Sequence, residues 1–195
     1  RINNSLDFVV VGAPKCGTTS IFESLHERAD VGLLGKDSHL LGKDLDLLLR
    51  DYSVKIEHVL EEFSPDLTIG DVSVWYLYSK TGAREIHRLN PNAKIVICLR
   101  NPLELIPSLH NQHLKGGDET VSDLNIALKR DFDNQPISEG VHFRTRPRYL
   151  ESVNYVEQIK KYTDLFSDVH FIFFEDLKTD FSKTMKDLER FLGLE

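Results

Sequence analysis

Hydrophobic positions in this chain follow two rhythms. Three stretches are almost continuously apolar and rich in β-branched residues: Phe8-Val9-Val10-Val11, Ala93-Lys94-Ile95-Val96-Ile97-Cys98-Leu99 and Val169-His170-Phe171-Ile172-Phe173-Phe174. A short unbroken apolar run suits a strand covered on both faces, because every second side chain would otherwise meet water. Leu67-Thr68-Ile69-Gly70 predicts a fourth strand and Val31-Gly32-Leu33-Leu34 a short fifth. Between these runs the apolar spacing turns helical. Ile21, Phe22 and Leu25 mark a helix over 18–26, and Ile56, Val59, Leu60 and Phe63 mark one over 54–63. A helix over 79–89 opens with Ser79 as cap, and one over 102–114 opens with Pro102, a residue suited to a first turn. Others are predicted over 121–132, 148–166 and 180–192, the last stopped by Gly193. Residues 133–147 form a polar stretch too long for a mere connector, the kind that serves as a lid or mobile segment. Strands alternating with helices predict βαβ units and a doubly wound α/β domain.

Composition narrows the function. The 195 residues carry 24 Lys and Arg against 31 Asp and Glu, a formal charge of −7. That balance excludes a general nucleic-acid binder, whose grip on the phosphate backbone needs a Lys/Arg footprint, and it weighs against a polyanionic polysaccharide. A 41% hydrophobic share is ordinary for a globular chain and excludes a disordered tail. Cys16 and Cys98 stand far apart, with no C-x-x-C or Cys/His ligand spacing. Neither a disulfide framework nor a metal site is expected, and a reducing, cytoplasmic setting is. No apolar run approaches the ~20 residues of a membrane span. The chain starts at Arg1, with no basic and then apolar leader.

Two segments carry candidate chemistry. The first strand runs into Gly12-Ala13-Pro14-Lys15-Cys16-Gly17-Thr18-Thr19-Ser20 and then a helix. The unpaired N–H groups at a helix start, and the helix dipole, favour an anion there. Lys15 adds a point charge; Thr18, Thr19 and Ser20 add hydroxyl donors. A Walker A loop needs Lys directly after the second Gly and then Ser or Thr for magnesium. Here Thr18 follows Gly17, so the loop suits phosphate without an evident metal ligand. The same positive field would favour a Cys16 thiolate, although no base stands beside it for nucleophilic work. The second segment is Leu99-Arg100-Asn101-Pro102, with Ser108 two helical turns on. Arg100 falls at the carboxyl end of a buried strand, the rim where open α/β sheets bind ligands. A guanidinium fork with a hydroxyl suits a second phosphate.

In this order, PKCGTTS after one apolar strand and LRNP-x5-S after a later one resemble the sulfotransferases that use 3′-phosphoadenosine 5′-phosphosulfate (PAPS). The segment GDVSVWYLYSKTGAREI resembles one found in bacterial members, and YVEQIKKYTDLF, FIFFEDLKTD and FLGLE follow the family's late helix–strand–helix order. The resemblance implies a single P-loop-like three-layer domain over 1–195, with a central mainly parallel sheet flanked by helices. It places Lys15, Cys16, Gly17, Thr18, Thr19 and Ser20 on the 5′-phosphosulfate and Arg100 and Ser108 on the 3′-phosphate. It implies transfer of a sulfuryl group to a hydroxyl, less readily an amine, of a small-molecule or saccharide acceptor, leaving adenosine 3′,5′-bisphosphate and needing no metal. Members continue past the point matching Glu195 into a basic, Gly-containing segment, so the chain is expected to be C-terminally truncated.

For the base, the family offers two positions. Cytosolic members use a His on the strand matching 70–75, where this chain has Asp71-Val72-Ser73-Val74. The branch with the glycosaminoglycan enzymes uses a segment after the first helix, here Gly35-Lys36-Asp37-Ser38-His39. Asp37 falls where that branch has its catalytic Glu, one methylene longer; Val72 replaces a Lys. Lys15, Asp37 and His39 are thus the catalytic candidates, with Asp37 or His39 as base. Asp71 and Ser73 are placed for hydrogen-bond support, Trp75 for core or pocket wall, His110 and His113 for surface or core. The competing readings are a P-loop kinase and a non-catalytic nucleotide-binding adaptor.

Overall fold

The computed structural model describes residues 6–194 apart from 49 and 52. Its strands are β1 (Phe8–Gly12), β2 (Val31–Lys36), β3 (Thr68–Val72), β4 (Lys94–Leu99) and β5 (Val169–Phe173). They form one sheet in the order β2-β3-β1-β4-β5, every neighbouring pair parallel. The helices are α1 (Thr18–His26), α2 (Ile56–Leu60), α3 (Gly82–Leu89), α4 (Pro102–Gly116), α5 (Leu124–Phe132), α6 (Tyr149–Ser152), α7 (Tyr155–Thr163), α8 (Phe174–Thr179) and α9 (Phe181–Leu192). Central β1 and β4 are buried on both faces, from Phe8 to Val11 and from Ile95 to Cys98. This is the parallel α/β architecture that alternating runs predict, and the P-loop-like one that the resemblance implies.

Local signals held at several ends. Pro102 starts α4, and Asn101 caps it by accepting the Leu103 N–H at 3.0 Å. Gly193 ends α9 in the left-handed conformation, φ 81°. The helix expected over 79–89 with Ser79 as cap instead starts at Gly82, with Thr81 at its N-cap position; Ser79 accepts the Gly82 N–H at 2.8 Å from the turn before it.

Four more expectations need correction. The helix over 54–63 shrinks to α2, with turns around it and no side-chain cap. The helix over 148–166 is broken at Asn154, whose ψ of 65° is not helical; Gln158 bridges the break by donating to the Glu151 carbonyl at 2.7 Å. Phe174, expected in a strand, opens α8. The strand before it is not buried on both faces: β5 is an edge, and Phe171 and Phe173 are exposed. Apolar content alone cannot separate an edge from a centre.

Because all strands point one way, their carboxyl ends share one rim. Gly12 closes the space there. Its φ is 122°, and a Cβ on it would stand 2.0 Å from the Val74 carbonyl oxygen. The loop after β1 therefore packs directly on the segment after β3, which only glycine permits.

Candidate active site

Residues 13–17 turn from β1 into α1 with Lys15 at φ 63° and Gly17 at φ 79°. No side chain caps α1. Among the described residues, the main-chain N–H groups of Lys15, Cys16, Gly17, Thr18 and Thr19 meet no acceptor. Five donors at the positive end of a helix make an anion cradle. Thr18 is buried, while Thr19 and Ser20 are exposed. Cys16 is a correction. Its thiol donates to the Pro14 carbonyl at 3.3 Å inside the core, and burial, outweighing the field of Arg100, pushes it up to about 12. No thiolate forms, and Cys16 offers the cradle only its N–H.

Arg100 leaves β4 toward this loop. Its Nη1 donates to the Lys15 carbonyl at 3.1 Å, and its Nη2 donates to Glu104 Oε2 at 3.2 Å. The guanidinium lies 4.3 Å from the centre of the Phe174 ring, and its Nε is buried without a partner among the described residues. Tyr155 donates to the Arg100 carbonyl at 2.9 Å, and Glu175 accepts the Asn101 N–H at 3.1 Å. The structure thus joins Lys15 and Arg100, 85 residues apart, through one hydrogen bond. Ser108 is half-buried on α4, and its hydroxyl has no hydrogen bond among the described residues. Phe174 under Arg100 went unread, because its run looked like strand.

Asp37 and His39 follow β2 in the left-handed conformation, φ 54° and 49°. The Asp37 N–H donates to the Val72 carbonyl at 2.8 Å; Asp37 Oδ1 accepts the Val74 N–H at 3.1 Å, and Lys36 stands 2.7 Å from Oδ2. The His39 N–H donates to Ser73 Oγ at 3.2 Å. The His39 Nδ1 is buried without a partner among the described residues. Burial pulls its pKa below the usual histidine range, with Asp37 working the other way. The hub beneath this loop is Asp71, fully buried. Its carboxyl accepts Ser38 Oγ at 2.9 Å, Ser73 Oγ at 3.0 Å and Tyr76 Oη at 2.8 Å, and burial pushes it up to about 6.

Asp37 and His39 open on a cavity of about 550 Å³. Trp75, His113 and Phe143 wall it, with Trp75 stacked on His113 (6.1 Å, 20°) and edge-on to Phe143 (5.4 Å, 82°). Both sequence expectations for these residues meet here: Trp75 is pocket wall, and His113 is buried yet reaches the same wall. The polar stretch after α5 supplies His142 and Phe143. It is pinned at two points. Asp118 accepts the His142 N–H at 2.7 Å and the Phe143 N–H at 3.3 Å. Next to it, Glu119 accepts Arg146 Nη2 at 2.7 Å and also pairs with Arg130. Residue Leu47 forms an antiparallel bridge with Phe143 across the cavity's edge. The loop after β1 does not line the cavity, but Val74 does, and Gly12 packs on its carbonyl.

A main-chain anion cradle after the central strand, with an arginine at the end of the neighbouring strand, is the arrangement of a P-loop-like α/β protein. The chain belongs to the sulfotransferase domain family, whose model matches residues 5–195. It is 26% identical over 200 residues to the bifunctional heparan sulfate N-deacetylase/N-sulfotransferase 1 of Caenorhabditis briggsae, covering 96% of this chain and 22% of that protein. The chain therefore spans about a fifth of the length of that curated relative. Among solved structures, a sulfotransferase from Alicyclobacillus acidocaldarius matches with TM-score 0.81 and 25% identity, over 97% of this chain and 81% of that one. A mouse sulfotransferase complexed with PAP shares the fold at TM-score 0.61 and 20% identity, over 97% of this chain and 59% of that one. Among the described residues no helix is long and apolar enough to cross a membrane.

Proposed function

We propose that the protein transfers a sulfuryl group from PAPS to a hydroxyl or amine of a small-molecule or saccharide acceptor, in a cytoplasmic setting. One observation carries this reading: two anion-binding elements stand side by side on one rim. The first is the row of unpartnered N–H groups from Lys15 to Thr19; the second is Arg100, tied to that row through the Lys15 carbonyl with its own Nε unpartnered. A nucleotide charged at both ends of its ribose fits such a pair. Lys15, Cys16, Gly17, Thr18, Thr19 and Ser20 would hold the 5′ end, and Arg100 with Ser108 the 3′-phosphate.

Bound PAPS would supply the electrophilic sulfur and, as its bond to the bridging oxygen breaks, a phosphate leaving group. The chain does the rest by positioning and electrostatics. Lys15 and the α1 amides would stabilise the charge that grows on the leaving oxygen. Asp37, held by Val74 N–H and Lys36, takes the proton of the acceptor from the cavity side. His39, biased by burial toward neutral imidazole, is the other candidate for that proton.

The test is transfer from PAPS across an acceptor panel, with Asp37→Asn and His39→Ala. Loss of general-base catalysis lowers kcat by ~10²–10⁴. We expect that loss in Asp37→Asn, with binding of adenosine 3′,5′-bisphosphate retained. Loss confined to His39→Ala moves the base to His39. Magnesium-dependent ATP turnover with no transfer from PAPS overturns the reading.

A further inference from the structure

The cavity that Asp37 and His39 open on has a composition of its own. At about 550 Å³ it falls within the range of small-molecule sites, ~300–1,000 Å³. Leu40, Val54 and Val74 extend the surface begun by Trp75 and Phe143. His113 belongs to this aromatic wall as a neutral ring, since burial pushes it down to about 4. The charged residues around the cavity are mostly acidic. Asp37, Asp51 and Asp118 line it, against Arg50 and the exposed His142. Arg50 directs its guanidinium at the carbonyls of Gly42 (3.0 Å) and Leu40 (2.7 Å), and His142 Nδ1 is 2.9 Å from Asp118 Oδ2. A carboxylated sugar chain would meet Asp51 and Asp37, the latter itself paired with Lys36, and would find the Arg50 guanidinium already donating to main-chain carbonyls. An aromatic ring would find edge and face partners on Trp75 and Phe143.

We propose that the acceptor is a compact aromatic alcohol or amine, neutral or cationic, seated against Trp75 and Phe143 with its hydroxyl or amino group toward Asp37 and His39. This rests on the sulfuryl-transfer reading and excludes a polyanionic saccharide. In the step, the acceptor oxygen or nitrogen bonds to sulfur and gives its proton to the base, while the sulfur's bond to the bridging oxygen breaks and releases the bisphosphate.

Trp75 is the only tryptophan in the chain, so its emission reports on this wall alone. The experiment titrates phenethyl alcohol, phenethylamine and an unsulfated heparosan tetrasaccharide into the protein saturated with adenosine 3′,5′-bisphosphate. The expected result is a saturable change in Trp75 emission with both phenyl compounds and none with the tetrasaccharide. Phe143→Ala should weaken the phenyl compounds about tenfold. Val54→Asp, at a position 43% exposed and safe for folding, should weaken the neutral alcohol more than the amine. Emission that responds to the tetrasaccharide, or stays flat with both phenyl compounds into the millimolar range, overturns the proposal. Bisphosphate binding is measured separately by calorimetry. Nucleotide binding with no phenyl response overturns the acceptor class alone. A phenyl response without nucleotide binding supports the cavity's ligand class and overturns the transferase reading.

Discussion

The rim proposed for the donor and the cavity proposed for the acceptor lie at the same end of one sheet, yet they are made of different material. The rim is main chain: consecutive N–H groups after β1, fixed by a glycine that packs on Val74 and by the start of a helix. The cavity is side chains drawn from segments after β2, β3 and α4 and from the stretch around Phe143. Its far wall stays in place through buried charge, with Arg146 completely enclosed between Glu119 and Asp131. The donor end thus needs little beyond one backbone path, whereas the acceptor end depends on several distant pairs forming together.

The largest test of that contrast is Glu119→Gln. Burial works against the Glu119 charge, but Arg130 and Arg146 hold its carboxyl down to about 2. Breaking a buried pair from one side costs about 3–5 kcal/mol, readable by urea unfolding. In the folded fraction the KM for acceptor should rise while bisphosphate affinity stays unchanged. A parallel loss of nucleotide affinity would show that the two ends are not independent. Next comes Lys15→Met. Removing the one charge proposed to stabilise the leaving group should lower kcat by ~10²–10³, roughly 3–4 kcal/mol of barrier, and leave the unfolding free energy within about 0.5 kcal/mol. Unchanged kcat would remove Lys15 from the chemistry.

The smallest effect concerns Asp71, which supports the loop between the two ends. Burial raises its carboxyl from the ordinary carboxylate range to about 6. The folded chain then keeps a proton that the unfolded chain has released. Stability contributed by this group falls as pH rises from that ordinary range to about 6, and levels off above it. Thermal unfolding of the protein against Asp71→Asn should show the difference shrinking across that window. A difference that grows there contradicts the hydroxyl hub as the site of the shift.

These contrasts also explain how much is legible in the sequence. Lys15 through Ser20 are contiguous, so strand, glycine and helix start declare the cradle in one line of sequence. Arg100 sits at a predictable strand end. The link between them, from Nη1 to the Lys15 carbonyl, is a tertiary contact with no local signal. Phe174 hid in an apolar run because sequence gives no sign of where a strand hands over to a helix. His113, His142 and Phe143 could not be gathered, since pairing of Leu47 with Phe143 depends on how two loops cross. The same limit let β5 pass for a buried strand: Phe171 and Phe173 are apolar, and only the strand order shows that they stand at an edge.

The most direct measurement is titration calorimetry of adenosine 3′,5′-bisphosphate against the protein and Arg100→Ala. Loss of charge-assisted hydrogen bonds of about 1.5–3 kcal/mol predicts affinity weakened roughly ten- to a hundredfold in the variant. Equal affinity in both proteins would contradict the pairing of Arg100 with the α1 cradle around a single nucleotide.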